Sequence, residues 1–129
     1  MIKVVVNGTF DILHPGHIRL LNYAKSIGSY LIVAIDTDER VQKLKGPKRP
    51  INDQLTRQFM LQNIKSVDEV VLFNSDAELL QIIDRCDIMV KGSDYINKPI
   101  IGKELIDIKF YDRTQHSTTS TIQRIIDRG

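Results

Sequence analysis

The chain has 129 residues, 42% of them hydrophobic and 26% charged, with 18 Lys and Arg against 16 Asp and Glu for a net charge of +2. That length suits one hydrophobic core and is short for two, so a single domain spanning residues 1–129 is expected. A charge so near balance argues against duplex nucleic acid as a partner, no run approaches the roughly 18 apolar residues of a membrane helix, and the lone Cys86 excludes an internal disulfide.

The opening MIKVVVNGTF lacks the long apolar run and small-residue cleavage site of a secretory signal, so a cytoplasmic protein without membrane association is expected. KVVVN is a β-branched run closed by Asn7 and Gly8, the pattern of a fully buried strand. Behind it, Ile18, Leu20, Leu21 and Ala24 fall at helical spacing, Pro15 suits the first helical position and Gly28 supplies a stop. YLIVAID, residues 30–36, is a second buried strand, parallel to the first by the right-handed crossover rule.

KLKGPKRPIND, residues 43–53, reads as a long irregular loop of the kind compact domains keep for function. It clusters Lys43, Lys45, Lys48 and Arg49 ahead of any acid, which suits a small anionic ligand. DQLTRQFMLQNIKS then reads as a helix with Leu55, Phe59 and Ile64 on one face, EVVLF as a strand and DAELLQIID as a helix. Cys86, in the apolar IIDRCDIMV, reads as a buried structural thiol. DIMVKG is a strand, KELIDIKFYD passes from a short helix into a strand near Ile106, and STTSTIQRIIDR is a final helix.

Five short apolar strands alternating with helices predict an α/β fold: a Rossmann-like parallel five-stranded sheet with helices on both faces. In such sheets ligands sit beyond the carboxyl ends of the strands, where residues 7–17, 36–50, 91–95 and 112–119 are expected to converge.

Within the first of these stretches, Gly8 lets the backbone approach a ligand, and the free amides of the helix start form a phosphate site. His14 and His17 lie three apart there, so both rings can donate to a phosphate oxygen whose charge grows as a bond breaks. The competing reading is structural, with His14 capping the helix and His17 on its polar face. A zinc pair is weaker, because His116 is the only further histidine. Lys43 and Lys45 are flexible point charges suited to a migrating phosphate, or else a solvated basic loop. Arg113, Ser117, Thr118 and Thr119 at the last helix either cap it or bind phosphate oxygens. There is no GxxxxGK[ST], GxGxxG or GxSxG, so a site built from His, Lys, Arg and amides points to phosphoryl or nucleotidyl transfer.

Taken together, GTFDILHPGH and STT resemble the cytidylyltransferase-like nucleotidyltransferase superfamily, whose HxGH is here His14, Pro15, Gly16 and His17. The resemblance implies attack by a substrate phosphate on the α-phosphorus of a nucleoside triphosphate, ATP or CTP, with pyrophosphate leaving and no covalent enzyme intermediate. It implies that Gly8, Thr9 and Phe10 line the triphosphate and that His14 and His17 bind phosphates and stabilise the transition state. Lys43 and Lys45 would contact the phosphates of both substrates, and Arg113, Ser117, Thr118 and Thr119 the nucleotide, with Mg²⁺ arriving on the triphosphate rather than on protein ligands. Asp11 would organise the loop or reach the acceptor, Asp36 and Asp38 would orient the site, and Arg57 in LTRQFML would reach it from the third helix. Family analogy adds a homodimer.

Two branches compete for the acceptor. KLKGPKRPIN and VKGSDY resemble the adenylyltransferase domain of bacterial heptose-phosphate enzymes, while YDRTQHSTT resembles the RTEGISTT stretch of glycerol-3-phosphate cytidylyltransferases. The two longer stretches favour adenylyl transfer to a heptose 1-phosphate. CDP-glycerol synthesis, a coenzyme adenylyltransferase and a non-catalytic nucleotide-binding module of the same fold are the alternatives.

Overall fold

A computed structural model describes residues 1–112; the expected final helix, with Arg113, His116, Ser117, Thr118 and Thr119, lies outside the described residues. The apolar runs become β1 (Lys3–Gly8), β2 (Tyr30–Asp36), β3 (Glu69–Phe73), β4 (Ile88–Gly92) and β5 (Asp107–Tyr111). They form one sheet in the order β3-β2-β1-β4-β5 with every pairing parallel, and Lys3 of β1 sits in register with Tyr30 of β2.

The central strands β1, β2 and β4 are largely apolar because both faces are covered, whereas the edge strand β5 exposes Asp107, Lys109 and Phe110. Val4, Val6, Leu31, Val33, Ile35 and Val90 pack on one side with Leu20, Leu21 and Ala24 of α1 (Pro15–Ser26) and Leu61 of α3 (Gln54–Gln62). Val5, Ile32, Ala34 and Met89 face the other side, against Leu79, Ile82 and Ile83 of α4 (Asp76–Asp84). Each fully buried Val, Leu or Ile contributes about 1.5–3 kcal/mol, so this alternation is what fixes the register of the sheet.

Three expectations need correction. Residues 43–53 are not wholly irregular, because Lys43 and Lys45 form the last turn of a helix, α2 (Asp38–Lys45). This helix buries Val41 alone, so it carries no hydrophobic period; its support is local. The Thr37 hydroxyl accepts the Arg40 amide at 3.2 Å, Asp38 and Glu39 occupy the first turn, Lys43 and Lys45 the last, and Gly46 closes it at φ 96°. Second, α3 ends at Gln62, and its core face carries Arg57 and Leu61, leaving Leu55 and Phe59 67% and 64% exposed. Third, the short helix expected within KELID does not form: residues 101–105 are turns, with Gly102 at φ 86°, and a 3-10 turn, Ser93–Tyr95, follows β4 instead.

Candidate active site

The strand order reverses between β1 and β4, and a cavity of about 230 Å³ opens there, beyond their carboxyl ends. Gly8, Thr9, Phe10 and Asp11 line it from the β1–α1 loop, His17 from α1, Lys45 from α2. Asn7, Arg49, Lys91 and Tyr95 add to its polar lining; the sequence reading brought their stretches to the strand ends but gave none of these four side chains a role in the transfer.

Phe10 holds the loop in shape. Its backbone adopts φ 50°, unusual for a residue with a side chain, and its ring is 6% exposed and 5.2 Å from the His17 ring. A Cβ on Gly8 would meet that ring at 3.1 Å, so the glycine serves this packing as well as any approach by a ligand.

Both histidines are helix-end residues, and of the two it is His17 that lines the cavity. His14 is the N-cap of α1, accepting the Gly16 amide on Nδ1 at 3.1 Å, while His17 Nδ1 accepts the His14 amide at 3.2 Å. This is a reciprocal capping box built from imidazoles. The rings stack with centroids 3.9 Å apart. With each Nδ1 accepting a main-chain N–H, the neutral rings carry their proton on Nε2, which makes Nε2 the donor.

Asp11 and Arg57 tie the surrounding loops together. The buried Asp11 carboxylate accepts the amides of Ile51 and Asn52, both at 2.8 Å, and lies 3.4 Å from Arg49 Nε. Arg57, 1% exposed, donates to the carbonyls of Asn52, Thr9 and Asp36 and to the Asp38 carboxylate, all within 3.0 Å. Asp36 in turn accepts from Arg40 Nε at 3.1 Å. The resemblance has Asp36 and Asp38 orient the site and Arg57 reach it, as acceptor-side residues; in the structure Asp38 pairs with Arg57 and Asp36 with Arg40, and none of Asp36, Asp38 and Arg57 lines the cavity.

Lys43 and Lys45 part company because two residues turn a helix through about 200°. Lys43 is 71% exposed and pairs with Glu39 at 3.2 Å, while Lys45, also exposed, borders the cavity, where partial desolvation and then Arg49 lower its pKa. We therefore expect Lys45→Ala to lower kcat/KM by at least tenfold and Lys43→Ala to change it less than threefold. Steady-state assays of pyrophosphate release check this, and equal losses would restore the paired role. Burial raises the pKa of the Cys86 thiol, in keeping with an unreactive cysteine.

A parallel sheet with amides, imidazoles and ammonium groups meeting at its switch point defines a Rossmann-like domain for phosphate-bearing ligands. The chain belongs to the cytidylyltransferase-like family, which matches residues 5–124. It is 44% identical over 128 residues to the bifunctional protein HldE of Aliarcobacter butzleri, spanning 95% of this chain and 26% of that one. HldE of Helicobacter pylori strain J99 is 42% identical over 128 residues, with 95% and 27% covered. The chain thus spans about a quarter of the length of these relatives. Among solved structures, the lipopolysaccharide core biosynthesis protein of Thermoplasma volcanium superposes with a TM-score of 0.70 at 30% identity, over 91% of this chain and 99% of that one. Pantothenate synthetase from Thermus thermophilus shares the fold alone, with a TM-score of 0.62 at 14% identity over 90% of this chain and 57% of that one.

Among the described residues no helix is long and apolar enough to cross a membrane.

Proposed function

We propose that this domain transfers the adenylyl group of ATP to a heptose 1-phosphate and releases pyrophosphate. The observation that carries the reading is the stacked His14–His17 pair at the start of α1, with His17 and Lys45 lining one cavity. An oxygen of the acceptor phosphate attacks the α-phosphorus, a new P–O bond forms, and the bond to the β-phosphate oxygen breaks with its electron pair leaving on pyrophosphate. A phosphate monoester, with a second pKa of about 6, is already largely dianionic and needs no general base. The chain's task is then positioning and charge stabilisation by Nε2–H, Nζ and main-chain N–H groups.

The sugar branch draws support from the resemblance of KLKGPKRPIN and VKGSDY to heptose-phosphate adenylyltransferase domains and from the lipopolysaccharide core biosynthesis protein of similar structure. Among the described residues no group of three or more His, Cys, Asp or Glu gathers, and the cavity's donors suit phosphate oxygens. In this reading, as the family resemblance implies, Mg²⁺ arrives on the triphosphate, where it would neutralise charge on the phosphate oxygens. The reading places the reaction in the cytoplasm, with small phosphorylated substrates as partners rather than nucleic acid or membrane.

A homodimer is part of the proposal. Leu55, Phe59 and Met60 are 67%, 64% and 49% exposed on α3, whose one charged side chain, Arg57, points inward. Such an uncharged apolar face suits a two-fold contact with its own copy. Phe59→Glu should turn the dimer into a monomer in sedimentation velocity; a variant that still dimerises would place the contact elsewhere.

The four nucleoside triphosphates assayed against heptose 1-phosphate and glycerol 3-phosphate, by pyrophosphate release, test the reaction. ATP with heptose 1-phosphate is the expected productive pair. CTP with glycerol 3-phosphate would move the protein to the other branch, and no release from any pair would leave a binding module.

A further inference from the structure

Lys91, inside the VKGSDY stretch, is a charged side chain of the cavity to which the sequence reading gave no role. It interrupts the apolar run of β4, the strand beside β1, and so enters the switch point from the opposite side of β1 to Lys45, which follows β2. Its Nζ lies 4.7 Å from the centroid of the Tyr95 ring, itself part of the cavity wall. Lys43 is paired with Glu39 and Arg49 with Asp11, whereas among the described residues the Nζ of neither Lys45 nor Lys91 enters a salt bridge or hydrogen bond. A lysine withdrawn from water with no ion-pair partner is costly until an anion completes it. Asp36 from the end of β2 and Asp94 from the turn after β4 favour its charge, and His17, Lys45 and Arg49 share the cavity, but burial outweighs the acids and lowers its pKa to about 8.

We propose that Lys91 is a phosphate-binding residue of this site, closing on the nucleoside triphosphate from the β4 side while Lys45 does so from the β2 side. The choice of ligand rests on the nucleotidyl-transfer reading; the ammonium–anion contact rests on the cavity itself.

Calorimetric titration with Mg²⁺ and ATP, and in parallel CTP, in two pH 8 buffers of different ionisation enthalpy tests the proposal. Near its own midpoint, free Lys91 is about half protonated, so a bound anion should draw in up to about half a proton. Affinity should fall as pH rises through about 8. Lys91→Gln removes a desolvated charge, should fold at least as well, and should lose the proton uptake and at least tenfold in affinity. Lys91→Arg, a cation that does not titrate, should bind more tightly than Lys91→Gln while taking up no proton. Lys98→Gln, on the exposed lysine 5.2 Å from the same Tyr95 ring, should change neither property. Uptake that persists in Lys91→Gln, or wild-type affinity in that variant, overturns the role of Lys91 and leaves the transferase reading standing. A wild-type protein that binds neither triphosphate overturns both.

Discussion

His17→Ala is expected to lower kcat by about 10² to 10³, the usual loss when one preorganised donor to developing charge is removed. The same substitution deletes one arm of the capping box, since His17 Nδ1 accepts the His14 amide at 3.2 Å, and that loss costs about 1 kcal/mol of stability. The two effects separate in His17→Gln. Glutamine at the third helical position is the ordinary partner in a capping box and can accept the same amide, yet it has no imidazole Nε2–H. We expect His17→Gln to recover most of the melting temperature lost in His17→Ala and little of the rate. His14→Ser should behave alike, because serine is a good N-cap with no ring to stack on His17. Recovery of rate together with stability would reduce the pair to helix-end residues.

The largest effect on stability is expected at Arg57. Its guanidinium, 1% exposed, bridges the β1–α1 loop at Thr9, the end of β2 at Asp36, the segment before α3 at Asn52, and the Asp38 carboxylate. Arg57→Ala leaves one buried carbonyl, two part-buried carbonyls and one part-buried carboxylate without this donor. Removing one side of such a buried network costs about 3–5 kcal/mol. For a domain of this length that is a fall of about 10–20 °C in melting temperature, read by thermal unfolding followed by circular dichroism. Arg57→Lys keeps the charge but has no planar fork, and should recover less than half. Loss of activity in either variant should follow loss of structure in the Gly8–Asp11 loop, so KM and kcat should worsen together. A melting temperature within 3 °C of wild type in Arg57→Ala would contradict the bridging role.

The strands were legible because a parallel strand covered on both faces needs a near-continuous apolar run, and VVV of β1, LIVAI of β2, VVLF of β3 and IMV of β4 supply one. α2 was not, because one buried residue leaves no period to detect; its signal lay in the order Thr37, Asp38, Glu39 and then Lys43, Lys45, which caps and charges a helix at both ends. In α3 two rows compete at the same spacing, Leu55–Phe59 and Arg57–Leu61, and polarity alone chooses the wrong one. A buried arginine with four acceptors takes the inward row only once loops distant in sequence supply those acceptors.

The site was legible where a side chain lies in a local motif. GTFDILHPGH places Thr9, Phe10, Asp11 and His17 on the cavity, and strand–loop–helix order alone brings residues 91–95 to the same place. Arg49, Lys91 and Tyr95 stayed unassigned because their direction depends on tertiary packing. For Lys91 a signal was available in retrospect: one lysine inside the apolar run IMVKG, at the carboxyl end of a central strand. The readings on Arg113, Ser117, Thr118 and Thr119 lie outside the described residues.

The central claim is direct nucleotidyl transfer at the α-phosphorus, and phosphorus NMR of the protein turning over Mg²⁺, ATP and heptose 1-phosphate tests it most directly. The account predicts that ATP signals give way to pyrophosphate and to a new sugar-linked diphosphate in equal amounts. Release of ADP with a phosphorylated acceptor, or ATP that stays unchanged beside every acceptor offered, would contradict it.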